Sequence, residues 1–247
     1  MRAEVESSGM DTPAWYPDEL AHAGPEHRDP AYVAGYDRKA ATDPEEDVAL
    51  LRGLGLGDAS VVVDLGAGTG TFALAAAPHC GRVVAADVSP AMLAALRAKI
   101  ERLGLRNVTC EQAGFLSYQH RGAPADLVYS RNALHHLPDF WKALALQRIA
   151  ALLRPGGALI LRDLIFSFEP HEAEQAIAAW LASADQRASD PNPGWSRAEL
   201  VEHLRAEYST FTWLLEPMLE HAGFQIEQRL LSPSGVYTAY VCRKRES

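Results

Sequence analysis

Cysteine is scarce in this chain of 247 residues: Cys80, Cys110 and Cys242 stand far apart, odd in number and without a CxxC pair. That pattern excludes a disulfide framework and offers no thiolate zinc site, so no bound metal is expected from it. Positive charge is also short, with 23 Lys+Arg against 32 Asp+Glu and a formal net charge of −9. Phosphate backbones are bound by clustered cations, and Arg243-Lys244-Arg245 is too short a cluster, so no nucleic-acid partner is expected. No apolar run approaches the ~20 residues that cross a bilayer, so no membrane partner is expected either. The opening stretch MRAEVESSGMDTP lacks the apolar core of a signal peptide, which reads as a cytoplasmic protein. No repeat or low-complexity tract is visible, and no feature fixes an oligomeric state. What remains, at 48% hydrophobic and 22% charged, is an ordinary soluble chain able to bury one large core.

The first thirty residues are polar and interrupted by Pro13, Pro17, Pro25 and Pro30, which reads as loop or short helix carrying Trp15 and Tyr16. Asp43-Pro44-Glu45-Glu46 then opens a helix to about Leu54, with a capping Asp, an early Pro and acids near the positive end of the dipole. From Val61 the pattern alternates. Val61 to Val63, Val83 to Ala86, Val108 to Glu111, Ala125 to Ser130 and Ala158 to Arg162 read as strands. Helices separate most of them, including one that Ser89 caps and Pro90 begins. Strands spaced by helices indicate βαβ units and a parallel sheet. Phe224 to Leu231 and Val236 to Cys242 are joined only by Ser232-Pro233-Ser234-Gly235, so they form a hairpin and the last strand runs against the rest. The expected fold is α/β, a doubly wound Rossmann-like sheet of seven strands, mostly parallel with an antiparallel last strand, plus helical lid elements. One domain is expected over 1–247, divided into a cap (1–42), a cofactor-binding core (43–163), a helical insert or substrate lid (164–223) and a terminal hairpin (224–247).

Asp64-Leu65-Gly66-Ala67-Gly68-Thr69-Gly70 follows the first strand and opens a helix. Glycines there let the backbone turn sharply and approach a ligand. A dinucleotide fingerprint would place Gly or Ala at the sixth position from Gly66, where this chain has Thr71. The spacing instead resembles the (D/E)xGxGxG loop of class I S-adenosylmethionine-dependent methyltransferases. Asp87-Val88-Ser89-Pro90-Ala91-Met92-Leu93, Asn132 to Leu137, and Leu152 to Gly157 resemble further segments of that family, and the likeness runs over about residues 42–163. It implies S-adenosylmethionine as cofactor, with Gly66, Ala67, Gly68 and Gly70 beside it and Asp87 accepting both ribose hydroxyls. Val88 and Met92 would flank ribose and adenine. Many members carry an Asp after the third strand that meets the adenine amino group. Here Gln112-Ala113-Gly114-Phe115 places Gly114 at that position, which leaves the adenine to backbone groups and to Phe115.

Other candidates keep two readings. Asp64 either holds the loop as a buried carboxylate or faces the cofactor's amino-acid end. Arg131 and Asn132 lie beyond the fourth strand, where open sheets place ligands, or cap the next helix. His135 and His136 titrate near neutrality and are candidate proton acceptors, or they organise the helix start. Tyr32 and Tyr36, four apart, either fold over the cofactor or pack the cap onto the core. Tyr16 and Tyr36 join the two histidines as candidate catalytic groups. The insert holds Phe166, Phe168, Trp180, Trp195, Tyr208, Phe211 and Trp213, either as its own core or as an apolar acceptor pocket. The resulting expectation is methyl transfer by in-line displacement to a small-molecule acceptor, with O-, N- and C-methylation unresolved. The alternatives are a non-catalytic cofactor- or partner-binding module and an NAD-linked Rossmann enzyme.

Overall fold

Alternation along five short segments builds the centre of the protein. A computed structural model describes residues 13–24, 26–40, 43–192 and 194–246. The stretch 1–12, on which the signal-peptide reading rests, lies outside the described residues, as do Pro25 and the cap boundary at residue 42. A short α1 (Glu19–His22), α2 (Pro30–Ala40) and α3 (Glu45–Gly53) lead into β1 (Val61–Leu65). There follow α4 (Thr71–Ala76), β2 (Arg82–Asp87), α5 (Pro90–Leu103), β3 (Val108–Gln112), β4 (Ala125–Arg131), α6 (Asp139–Leu152) and β5 (Leu153–Asp163). The order β3-β2-β1-β4-β5-β9-β8 makes one seven-stranded sheet, completed by β8 (Phe224–Leu231) and β9 (Thr238–Lys244). Every pairing is parallel except β5 with β9 and β9 with β8. The hairpin therefore reverses the last strand; its link spans 232–237, two residues longer than expected because β9 begins at Thr238 rather than Val236.

Successive residues of each strand point to opposite faces, so each strand feeds two cores. Val62, Val83, Ala85, Leu127, Tyr129 and Ile160 pack with Leu51 of α3, Phe72 of α4 and Leu93 and Leu96 of α5. Val63, Leu65, Val84, Val128, Leu159 and Leu161 pack on the other face with Leu146 and Ile149 of α6. Burying an aliphatic side chain completely is worth about 1.5–3 kcal/mol, so these two layers hold the sheet as a rigid platform. Between β1 and β4 the strand order changes direction, which opens a crevice at the strands' carboxyl ends.

Local signals formed where they stood. Ser89 Oγ accepts from Met92 N at 3.1 Å with Pro90 in the first turn, and Gly104 ends α5 in the left-handed region. Two places differ from the sequence reading. β5 starts earlier, at Leu153, because the Pro155-Gly156-Gly157 stretch is absorbed as an irregularity where pairing jumps from Ala125–Leu153 to Leu127–Ala158. The insert is not purely helical. β6 (Ile165–Phe166) and β7 (Thr210–Phe211) pair in parallel at its base, enclosing α7 (Ala173–Arg187) and α8 (Arg197–Ala206). Residues after β7 form α9 (Thr212–His221), whose Leu215 and Leu219 join the main sheet core. Phe166, Trp180, Leu181 and Leu200 form a separate small core with Phe168 and Phe211 against it, so most insert aromatics hold the insert together.

Candidate active site

The loop after β1 is shaped by two contacts that exclude side chains. Gly66 sits at φ +74°, and a Cβ there would lie 2.3 Å from Ala133 Cβ. Gly70 sits at φ +84°, and a Cβ there would lie 2.1 Å from Leu96 Cδ1, so the loop seats directly on α5. Gly66 N and Ala67 N both donate to Ala86 O, at 2.9 and 3.0 Å, tying the loop to the tip of β2. Asp87 ends that strand. Its Oδ2 accepts from Gly68 N at 2.7 Å and its Oδ1 from Ser89 N at 2.8 Å. Burial raises the Asp87 pKa, while these two N–H donors counter the rise.

A cavity opens over this loop. Val88, Met92, Ala113, Gly114 and Phe115 border one end, and Arg131, Asn132, Ala133 and His136 the other. Arg131 is held by Asp47 at 3.1 Å, a buried acid that also meets Arg162 at 2.5 Å and Tyr129 Oη at 2.5 Å. A buried carboxylate is tolerable only when so paired, and the pairing anchors α3 to the ends of β4 and β5. Asn132, at φ 49°, is the described non-glycine residue with positive φ, and its N–H donates to Arg162 O at 2.8 Å. Asp64 is buried with Oδ2 unpartnered, beside Tyr36, Ala67 and Arg131. Burial and the charge of Asp87 raise its pKa well above the usual carboxylate range.

The N-terminal elements roof this cavity. Ser89 Oγ donates to His27 O at 2.5 Å, and the His27 ring meets Tyr32, Tyr36 and His136 edge-on at 5.6–5.9 Å. Asp37 of α2 meets both Thr69 and Lys99, clamping the roof to the loop. Behind the roof lies a second cavity of about 970 Å³, bordered by Tyr32, Leu164, Trp195, Glu199, His203, Glu207 and Tyr237. The two cavities share His27, Tyr36, Asn132 and His136 as walls.

Comparison with known proteins matches residues 62–157 to a methyltransferase domain family. An uncharacterized methyltransferase of Anoxybacillus flavithermus is 30% identical over 167 residues, covering 68% of this chain and 70% of the relative. A trans-aconitate 2-methyltransferase of Azoarcus sp. is 32% identical over 185 residues, covering 72% and 70%. The chain belongs to the class I S-adenosylmethionine-dependent methyltransferases. The fold agrees: a SAM-dependent methyltransferase structure from Aquifex aeolicus superposes with TM-score 0.60 at 19% identity, over 87% of this chain and 98% of that one. The methyltransferase family decides between the two readings of the glycine loop, in favour of S-adenosylmethionine and against a nicotinamide dinucleotide. The cavity suits that cofactor: a Gly66 turn that no side chain can occupy, a buried acid at the tip of β2, and apolar walls at Met92 and Phe115.

Among the residues expected at the cofactor, Gly66, Gly68, Asp87, Val88, Met92, Ala113, Gly114, Phe115, Arg131 and Asn132 line the methyltransferase's first cavity. Asp64 and Ala67 border an adjoining space, Tyr32 borders the second cavity instead, and Gly70 packs on Leu96. Tyr36 and His136 face both cavities, and His135 only the second. Tyr16 lies elsewhere. Its ring packs edge-on to Trp15 and Trp141, at 4.7 and 5.5 Å, beside a separate groove near Leu116 and Tyr118. A tyrosine in a proline-interrupted stretch carries no register that could place it, and its edge-on partner Trp141 lies far along the chain in α6.

Sequence reasoning missed Glu19. Its carboxylate accepts from Leu116 N and Ser117 N, each at 3.0 Å, and from Ser117 Oγ at 2.7 Å. A Cβ added at Gly114 would lie 2.3 Å from Glu19 Oε1. Gly114, where the resemblance implies an acid, therefore makes room for one delivered from α1. If that carboxylate meets the adenine, Glu19→Ala raises the adenosylhomocysteine dissociation constant about tenfold, one charge-assisted hydrogen bond of roughly 1.5 kcal/mol. Adding Gly114→Asp to that variant restores affinity by calorimetry; no recovery would mean that Glu19 only staples the 114–117 turn.

Two histidines differ sharply in charge. Burial pulls His135 down, but Asp163 and Glu207 outweigh it and raise its pKa to about 9. Burial, then the charge on His135, lowers His136 to about 3, so its imidazole is neutral. Among the described residues no helix is long and apolar enough to cross a membrane.

Proposed function

We propose that this methyltransferase acts on a small neutral or cationic acceptor with an aromatic or apolar body, held in the second cavity. The observation that carries the reading is the shared wall: Tyr36, Asn132 and His136 border both spaces, so a ligand in each would meet there. The glycine loop, Asp87 and Glu19 hold the cofactor's adenosine, with Asp87 receiving the ribose hydroxyls. Arg131, Asn132 and Asp64 stand toward its amino-acid end. The cofactor, when bound, supplies a methyl group already activated by a positive sulfonium. The residues of the chain then have to align and exclude water. Alignment of bound partners corresponds to effective molarities of about 10⁵–10⁸ M, so enclosure by the cap and insert is a substantial contribution.

Tyr36 keeps its proton, since burial and the neighbouring Tyr32 raise its pKa. It serves as a donor at the shared wall, where neutral His136 also stands. His135 and Tyr16 have no direct part in this reading. The lining of the second cavity includes Glu26, Glu199, Glu202 and Glu207, and its cationic candidates are histidines. A tricarboxylate such as the trans-aconitate in the Azoarcus relative's name would meet like charge there. Supplying labelled S-adenosylmethionine with panels of phenols, amines and acids tests this: transfer to a neutral or amine acceptor is expected, and preferential transfer to trans-aconitate would overturn it. Trp195→Ala lowers kcat/KM for an accepted substrate about tenfold to a hundredfold, the loss of one aromatic wall, and leaves adenosylhomocysteine affinity unchanged. Equal losses in both would place Trp195 in the fold rather than at the acceptor.

A further inference from the structure

On the wall of the second cavity, imidazole nitrogens converge on one carboxylate oxygen. Glu207 Oε2 lies 2.9 Å from His135 Nε2 and 3.9 Å from His136 Nδ1, and it also meets His203 Nδ1. The ligand atoms of His135, His136 and Glu207 all lie within 4.8 Å of one another. The far sides of two of these rings are already held. His135 Nδ1 lies 2.5 Å from Asp163 Oδ1, and His203 Nε2 lies 2.8 Å from Ser209 Oγ. His136 Nδ1 is buried without a hydrogen-bond partner.

We propose that His135, His136 and Glu207, with His203 orienting the carboxylate, bind a divalent first-row transition-metal ion of the zinc or iron(II) class. Imidazole with a single carboxylate is the donor set that such ions take, and a set of three protein ligands leaves a position open. Ligating histidines are generally oriented by a carboxylate or hydroxyl on the other ring nitrogen, which Asp163 supplies for His135. The charge also closes. Asp163 and Glu207 bring two negative charges into a buried cluster, and a divalent ion balances both while its imidazole ligands stay neutral. The scarcity of cysteine excluded only a thiolate site; this ligand class leaves no CxxC trace. Its histidines come from the turn after β4, and its acid follows α8.

The open position faces the cavity that the proposed function assigns to the acceptor. The ion's role there, orienting an acceptor oxygen or nitrogen, rests on that reading; its binding does not. Calorimetric titration of the metal-stripped full-length protein with Zn²⁺, and optical titration with Co²⁺, test binding without any acceptor. One equivalent at micromolar affinity or tighter is expected, with tetrahedral-type Co²⁺ absorption bands. Glu207→Gln and His203→Gln each weaken it at least tenfold, while adenosylhomocysteine binding reports that the variants remain folded. Should Glu207→Gln lose the cofactor as well, the wild-type Co²⁺ spectrum still decides. No stoichiometric binding by the wild type, or affinity unchanged in both folded variants, overturns the site and leaves the cluster as a closed proton network. A failed acceptor panel with intact metal binding would instead count against the proposed function alone.

Discussion

Asp87→Ala raises the adenosylhomocysteine dissociation constant about a hundredfold, read by calorimetry. Two hydroxyl donors on one ionised carboxylate are worth roughly 1.5 kcal/mol each, and about 2.8 kcal/mol is two orders of magnitude in affinity. The acid is placed to do this by the loop it organises. Its Oδ2 takes Gly68 N and its Oδ1 takes Ser89 N, so it is fixed before any ligand arrives. Removing it also frees those two donors, which adds loop disorder to the lost contacts. Asp87→Asn keeps one acceptor oxygen and the side chain's size, so about a tenfold loss is expected from the missing charge. An unchanged constant in Asp87→Ala would remove the ribose assignment and with it the orientation of the cofactor in the cavity.

Gly66→Ala is the second large effect, this time on stability and binding together. An L-residue at φ +74° costs about 1–2 kcal/mol, and the added methyl would lie 2.3 Å from Ala133 Cβ. Overpacking adds about 1–3 kcal/mol, because Ala133 leads the 134–136 turn and cannot retreat freely. Together these lower Tm by about 10 °C for a chain of this size, with cofactor binding weakened in parallel. The two causes are separable. Ala133→Gly relieves the overlap but not the backbone strain, so the double variant recovers about half of the lost stability. Full recovery would show that the left-handed backbone costs nothing here; no recovery would show that Ala133 is not the obstacle.

Most of the platform was legible because it is written locally. Val61-Val62-Val63, the glycine loop, Asp87 and the Ser89-Pro90 cap are contiguous, and each needs only its neighbours to form. The hairpin was legible for the same reason: a link of four to six residues cannot cross a sheet. What escaped depends on separation in sequence. Glu19 reaches Leu116 and Ser117 across 97 and 98 residues, and no spacing rule links a helix of four residues to a distant strand tip. The metal-type cluster escaped because Glu207 and His203 lie in the insert, where the aromatics stood out. Most of those aromatics fill the insert's own core, and of the seven only Trp195 borders the second cavity. Tyr16 was misplaced because prolines left it without a periodicity. Stability signals repeat along a chain, whereas a site is assembled once, from pieces that meet only in the fold.

The central claim is that the cofactor and acceptor meet across Tyr36, Asn132 and His136. A crystal structure with adenosylhomocysteine tests it most directly. Adenosine is expected along Asp87, Met92 and Glu19, with the sulfur turned toward the space between Tyr36, His136 and Trp195. A sulfur facing open solvent, or a cavity beyond the sulfur closed by side chains, would contradict it.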